Sequence, residues 1–415
     1  MLMRDTAKEF EQTPGALHPS RGILSAMSAP SPALEMSTPP TSAPGSHAPR
    51  FAILGSRGIP ARYGGFETFV DELARRLVQR GVQVTVFCEA DGEPKLKQYE
   101  GVELVHVQAR APGPARTIAF DIACLWQARK GFDVVYMLGY GASPACVIPR
   151  LFGTPVWINM DGLEWLRPKW SPLARLWLKT MEGLALRSAN RVIFDNQALA
   201  DEIQGRRHAV KHFSVLEYGA PLLSERTSPA SLANWDVSSG EYYLVVCRFE
   251  PDNHVLEIVS AFARAKPTRP LLVVANKDVD TPYVKRTMAL ASNKIRFVGT
   301  IYDQDQLLPL RQHCRAYLHG HSVGGTNPSL LEAMGSGNFT LAHDNPFNRE
   351  TLGESALFFT DEDELVQRLQ QTEELAENVL EAKRKQASDR IAKHYTWDKI
   401  TERYHDLLLA TVNAG

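Results

Sequence analysis

From Arg50 onward, short apolar runs alternate with stretches whose apolar residues recur at helical spacing, and this alternation occurs twice along the chain. No other feature constrains the fold as strongly. Strands separated by helices long enough to cross over pair in parallel, and a parallel sheet needs helices on both of its faces. "RFAILGS" reads as the first strand; "FETFVDELARRLVQRG" then places Phe66, Phe69, Val70, Leu73 and Leu77 on one helical face, and Gly81 ends it. Strand patterns follow in "VQVTVF", "VELVHV", "DVVYML", "TPVWINM" and "NRVIFD", with helical stretches near 116–130, 172–189 and 197–205. The alternation restarts with "EYYLVVCRF" and runs through "RPLLVVAN", "KIRFVGT", "RAYLHG" and "NFTLAH", again with helical segments between.

Two α/β domains are therefore expected, at 50–222 and 223–395, with a Ser-, Pro- and Asn-rich linker near 220–240 and a final helix over 396–415. Residues 1–49, rich in Pro, Ser and Ala, are expected to be a disordered extension. A length of 415 residues with 44% hydrophobic composition suffices for two cores. The net charge of −1 argues against nucleic acid as a partner, but it divides into +5 over 50–222 and −5 over 223–415. The first domain can thus face something anionic. The five cysteines are scattered, which fits neither a disulfide framework nor a zinc site and points to a reducing compartment such as the cytoplasm. No apolar run approaches the roughly 18 residues of a membrane-spanning helix.

The stretch "HGHSVGGTNPSLLEAMGSG", His319 to Gly337, is a glycine-rich loop running directly into a helix. Asn327 reads as the N-cap and Pro328 as the first helical residue. Free N–H groups from Thr326 to Ser329, with close backbone approach at Gly324 and Gly325, make a phosphate site. Glu332, one turn further in, leans back toward the same ligand and accepts hydrogen bonds from hydroxyls. A nucleotide satisfies both halves, phosphate at the helix end and ribose at Glu332; an ordinary capped helix with a solvated Glu332 is the alternative. His321 reads as a hydrogen-bonding group for phosphate or sugar rather than a metal ligand, because no suitable third ligand lies nearby.

In the first domain the loop "GSRGIPARYGGFE" leaves a strand and opens a helix, where α/β sheets bind ligands. Gly64 and Gly65 allow close approach, and Arg57 and Arg62 add positive charge. A dinucleotide site with Glu89 as the ribose acid competes, but Gly55, Gly58, Gly64 and Gly65 lack the G-x-G-x-x-G spacing. Arg248, ending the first strand of the second domain, suits a leaving diphosphate or else pairs with Glu250 or Asp252. "INMDGLEWLRPKW" offers Asp161 and Glu164 as base or hydroxyl-binding groups and tryptophan as a stacking surface. The same acids would also suit a helix N-terminus. "WSPLARLWLKTMEGLALRSANR" is cationic and amphipathic; it packs on the core or lies on a membrane, and core packing is the expectation. "DVD" at 278–280 carries little information.

Taken together, "ILGSRGIPARYGGFETFVDELA", "MDGLEWLRPKW", Arg248 and "HGHSVGGTNPSLLEAMGSG" resemble the retaining, GT-B-fold family-four glycosyltransferases. The likeness is narrower to the bacterial rhamnosyltransferase-type group of capsule and exopolysaccharide synthesis, and it runs from about Arg50 to Leu409. It implies two Rossmann-like domains facing a central cleft, with acceptor on the first and nucleotide-sugar on the second. The last helix would cross back to the first domain. Arg248, Asp161 and Glu332 are the implied catalytic set. The sugar donor is implied to meet Gly64, Gly65, Arg248, Asn253, His321, Gly324, Gly325, Thr326, Asn327, Ser329 and Glu332. The acceptor, a polyprenyl-diphosphate-linked sugar or a glycan at the inner membrane face, would meet Arg57, Arg62, Glu67, Glu164, Trp165 and Arg167.

No cofactor or metal is expected, the nucleotide-sugar being a substrate. Three positions depart from the broad family: Gly324 replaces a Glu, Asn253 a Lys, and Asp161 stands near a usual His. They read as a subgroup pattern. A sugar-nucleotide epimerase or hydrolase and a silent sugar-binding assembly protein are the rival readings.

Overall fold

The computed structural model describes residues 47–61, 64–90, 96–109, 111–113, 115–206, 210–223, 225–301 and 303–414. The extension expected over 1–49 lies outside them except for its last three residues, as does Arg62.

The first sheet contains β1 (Arg50–Leu54), β2 (Gln83–Glu89), β3 (Gln98–Tyr99), β4 (Val102–Val107), β5 (Val134–Leu138), β6 (Val156–Met160), β7 (Arg191–Phe194) and β8 (Phe213–Val215). Their spatial order is β3-β4-β2-β1-β5-β6-β7-β8, and every neighbouring pair is parallel except β3 with β4. The chain winds outward from β1 through β2 and β4, then returns to place β5 on the other side of β1. That reversal opens a crevice at the carboxyl ends of β1 and β5. Phe51 and Ile53 point into one core and Ala52 and Leu54 into the other, the period-2 alternation of a strand covered on both faces.

One face carries α1 (Gly65–Gln79); the other carries α2 (Ala115–Gln127), α3 (Val147–Leu151), α4 (Pro172–Ser188) and α5 (Gln197–Arg206). The face expected for α1 is the one observed, with Phe69, Val70, Leu73 and Leu77 buried. The strands β3, β8 and the helix α3 carry two, three and five residues and leave no usable periodicity.

The second sheet repeats the winding with β9 (Tyr243–Val246), β10 (Leu271–Val274), β11 (Ile295–Phe297), β12 (Ala316–His319), β13 (Thr340–His343) and β14 (Ala356–Phe359). Its order is β11-β10-β9-β12-β13-β14, parallel throughout, so the reversal falls between β9 and β12. Around it lie α6 (Val255–Ala265), α7 (Pro282–Met288), α8 (Gln304–Gln312), α9 (Pro328–Gly335), α10 (Pro346–Leu352), α11 (Glu362–Glu374) and α12 (Glu377–Arg390).

The final helix, α13 (Trp397–Ala414), packs on α1 of the first domain. Its Tyr404 hydroxyl lies 2.9 Å from that of Tyr136, which accepts from the Asn159 amide at 2.9 Å. The crossing is tight where it passes the linker: a Cβ on Gly219 would sit 2.4 Å from the Trp397 ring. Among the described residues no helix is long and apolar enough to cross a membrane.

Candidate active site

Both crevices open toward each other, and two helix N-termini meet between them. Gly65 begins α1 and Pro328 begins α9; a Cβ on Gly65 would lie 3.2 Å from Pro328 Cγ. Asn327 caps α9 as its sequence indicates, its Oδ1 accepting from Ser329 N at 2.9 Å. The N–H groups of Gly324, Gly325 and Asn327 donate to no backbone carbonyl among the described residues. The gap therefore lies between two positive helix ends and beside unspent donors, an arrangement suited to phosphate.

The walls are knitted by glycines. Gly162, at φ +75° after β6, approaches so near that its Cβ would be 2.3 Å from Gly324 Cα. Gly325 abuts the buried Asp195, where a Cβ would stand 1.7 Å from Oδ1. Thr326 donates its hydroxyl to the Asp195 carbonyl and accepts from the Asn196 amide at 3.3 Å. The side chains of Thr326, Asn327 and Ser329 are thus committed to the protein, Ser329 Oγ lying 3.1 Å from the Val246 carbonyl and 2.9 Å from the Tyr317 hydroxyl. What these residues offer a ligand is backbone.

On the second-domain side Arg248 leaves β9 exposed, and among the described residues no acid forms an ion pair with it. Asp252, one of the two acids proposed as its partner, is buried and instead pairs with Arg167 of the first domain at 3.5 Å. Asn253 is a bracket: its Nδ2 donates to the Arg248 carbonyl at 2.9 Å and its Oδ1 faces His321 Nδ1 at 2.9 Å. That contact orients the ring, whose Nε2 lies beside Gly324. Burial, then the Arg167 and Arg248 charges, hold His321 down to about 3, so the ring is neutral. A neutral ring can hydrogen-bond a sugar hydroxyl. Glu332 is held by the buried Arg311 of α8 at 2.5 Å yet keeps part of its carboxylate exposed. Two oxygens leave acceptor capacity for hydroxyls.

On the first-domain side Asp161 follows β6, half-buried, with the Tyr218 hydroxyl 3.5 Å from Oδ1. Burial first, and then the Glu164 charge, push its carboxyl up to about 7 against the pull of Arg167 and Arg248. Asp195, at the end of β7, is raised well above the ordinary range, again chiefly by burial and then by Asp161. Its Oδ1 has no hydrogen-bond partner among the described residues. Asp195, Tyr218 and Arg311 escaped sequence reasoning; an Asp after a strand or an Arg inside a helix carries no local mark.

The residues assigned to the acceptor are mostly spoken for. Glu67 folds back to accept from Arg57 N at 3.0 Å, bracing the loop before α1. Glu164 forms an ion pair with Arg167 at 2.7 Å and accepts from the Trp170 indole at 3.3 Å. Trp165 donates to the buried Glu182 at 2.8 Å beneath Lys179 and Arg206, which cover its ring, so it is not an open stacking platform. Arg57 is exposed at the rim. Glu89, the acid a dinucleotide site would need, pairs with Arg116 at 2.6 Å. Among the described residues no three His, Cys, Asp or Glu side chains converge where they could hold a metal ion.

Residues 49–221 match a family described as a domain of unknown function (DUF1972), and residues 256–406 match one described as glycosyl transferase-like. No curated protein matches the sequence. Sucrose-phosphate synthase from Thermosynechococcus elongatus is similar in structure, with a TM-score of 0.74 at 18% identity over 88% of this chain and 100% of that one. HepE from Anabaena, solved in complex with UDP and glucose, gives 0.70 at 19% identity over 86% and 98%. An α,α-trehalose 6-phosphate synthase from Burkholderia multivorans gives 0.65 at 13% identity over 89% and 98%. The architecture is the GT-B fold, two doubly wound domains facing a cleft. Within it, the second domain carries the glycosyl transferase-like match.

Proposed function

We propose that the protein is a glycosyltransferase that moves a hexosyl or deoxyhexosyl group from a nucleotide-sugar to a sugar-bearing acceptor with retention of configuration. The observation that carries this reading is the face-to-face meeting of the α1 and α9 N-termini, with Arg248 beside it and Glu332 one turn inside α9. The diphosphate fits between the helix ends, the ribose hydroxyls on Glu332, and the sugar beside His321 Nε2 and Asp161. HepE, which shares the fold, was solved with UDP and glucose, supporting a nucleotide-sugar as the substrate.

In the reaction the bond from the anomeric carbon to the diphosphate breaks as the acceptor oxygen bonds to the same carbon from the same face. The hydroxyl proton passes to the leaving phosphate oxygen. Arg248 and the free N–H groups before α9 stabilise the charge growing there, each well-placed group contributing about 3–4 kcal/mol. Asp161 accepts a hydrogen bond from a sugar hydroxyl and fixes its direction. The acceptor is a lipid-linked sugar or glycan in the assembly of a bacterial surface polysaccharide, in line with the positive first domain.

The test is incubation with single nucleotide-sugars, with and without extracted lipid-linked oligosaccharide, reading nucleoside diphosphate release and the anomeric configuration of the product. Acceptor-dependent release with a retained anomer supports the reading. Release without acceptor indicates a hydrolase or epimerase, and an inverted product refutes retention.

A further inference from the structure

The outer flank of the first domain is apolar where a solvent-facing surface should be polar. The helices α2, α3 and α4 all lie on one face of the sheet, since Phe120, Cys124, Cys146, Met181 and Ala185 enter the same core. Their outward sides therefore share one surface. That surface exposes Trp126, Leu151, Phe152, Leu173, Leu176 and Trp177, with Leu151 77% and Leu173 68% exposed. Eight of the twelve large hydrophobics exposed among the described residues lie on these three helices or immediately after α3, so the clustering is not a scatter of single side chains. The structure corrects the expectation for α4: its carboxyl-terminal half packs on the core through Met181 and Ala185, but its first turns project Leu173, Leu176 and Trp177 outward.

The charges on these three helices are sorted. The three helices contain two acids, Asp121 and Glu182, and both are buried. Their cations Arg116, Arg150, Lys179 and Arg187 are exposed, and Lys130 follows α2. Arg129 lies over the Trp126 ring at 4.4 Å and Lys130 over Phe152 at 4.9 Å, so cationic heads alternate with exposed aromatic rings. Exposed charges of one sign on these three helices favour an anionic lipid surface over a protein partner, which would not require it; the exposed acids of the same face, Asp201 and Glu202, stand on α5.

We propose that this flank docks on an anionic bilayer, the aromatic and aliphatic side chains entering the interface and the basic side chains meeting lipid phosphates. The chain's path fixes the orientation. The α4 N-terminus follows the loop that carries Asp161, at the cleft side of the sheet, whereas Leu151 and Phe152 sit at the opposite end, where the chain enters β6. Docking along the whole flank brings the mouth of the cleft to the lipid surface. The inference goes beyond the transferase reading and stands without it, because binding is measured with no substrate present.

The experiment is co-sedimentation of the full chain with phosphatidylcholine vesicles and with vesicles in which one lipid in three is phosphatidylglycerol. The expected result is partition onto the anionic vesicles that weakens as salt is raised. Because each basic side chain at such a surface is worth about fivefold in partition, Lys130→Glu/Lys179→Glu/Arg187→Glu should lose on the order of a hundredfold. Leu151→Ser/Leu173→Ser/Trp177→Ser should lose about tenfold or more while keeping its melting midpoint. Leu222→Ser/Val379→Ser, exposed elsewhere, should bind as the parent does. No preference for the anionic vesicles, or binding undiminished in both triple variants, would overturn the proposal. So would a dimer in sedimentation velocity that the serine variant dissociates, which would assign the patch to a second copy.

Discussion

Replacing Asp161 by Asn tests the electrostatics of the cleft without changing its shape. The carboxyl is pushed from 3.8 to about 7, chiefly by burial. Between about pH 4 and pH 7 the folded chain therefore holds a proton that the unfolded chain has released, so stability falls as pH rises through that window. The cost is complete above about pH 7 and amounts to roughly 4 kcal/mol, about 3 pH units at about 1.4 kcal/mol each. Asn cannot ionise, so Asp161→Asn escapes the cost. Thermal melting should show the variant equal to the parent near about pH 4 and more stable by several degrees near about pH 8. Transfer activity should fall about a hundredfold, a trade of function for stability. A variant that melts lower at the higher pH, or gains equally at both, would show that burial does not hold a proton on Asp161.

Arg248→Ala should lower the turnover rate by about a hundredfold to a thousandfold with an unchanged melt, since the side chain is exposed and its work lies in the transition state. Steady-state kinetics and calorimetry check both parts. Arg167→Met should destabilise by about 3–5 kcal/mol because Asp252, buried in the second domain, loses its cation; denaturant unfolding measures it. Gly325→Ala places a methyl 1.7 Å from Asp195 Oδ1 and should hold the domains apart, seen as a larger radius of gyration in solution scattering and reduced transfer. Gly205→Ala, whose Cβ meets nothing within 4 Å, should change neither.

Features with a local signal were legible in the sequence. The Asn327 cap, Pro328 at the start of α9 and the buried face of α1 each depend on residues within two or three turns of one another, and the structure shows all three. That each half is a parallel α/β domain followed from the order of the elements; two doubly wound domains facing a cleft were implied by the family resemblance. Long-range partners were not legible: Asp195 meets Gly325, and Asn253 orients His321, across 130 and 68 residues respectively. No propensity or spacing rule links such positions. For α4, periodicity showed two unlike faces but could not say which part of the apolar stripe the core covers. Leu173, Leu176 and Trp177 fall on the uncovered part.

In the proposed complex a nucleotide-sugar sits between the two helix ends with its ribose on Glu332. Titration calorimetry of the purified chain with UDP-glucose, dTDP-rhamnose, GDP-mannose and NAD tests it most directly. A nucleotide-sugar should bind, and Glu332→Gln should weaken it about tenfold to a hundredfold, the worth of hydrogen bonds to a charged acceptor. Binding of NAD alone, of none of the four, or of a nucleotide-sugar with equal affinity in Glu332→Gln would contradict it.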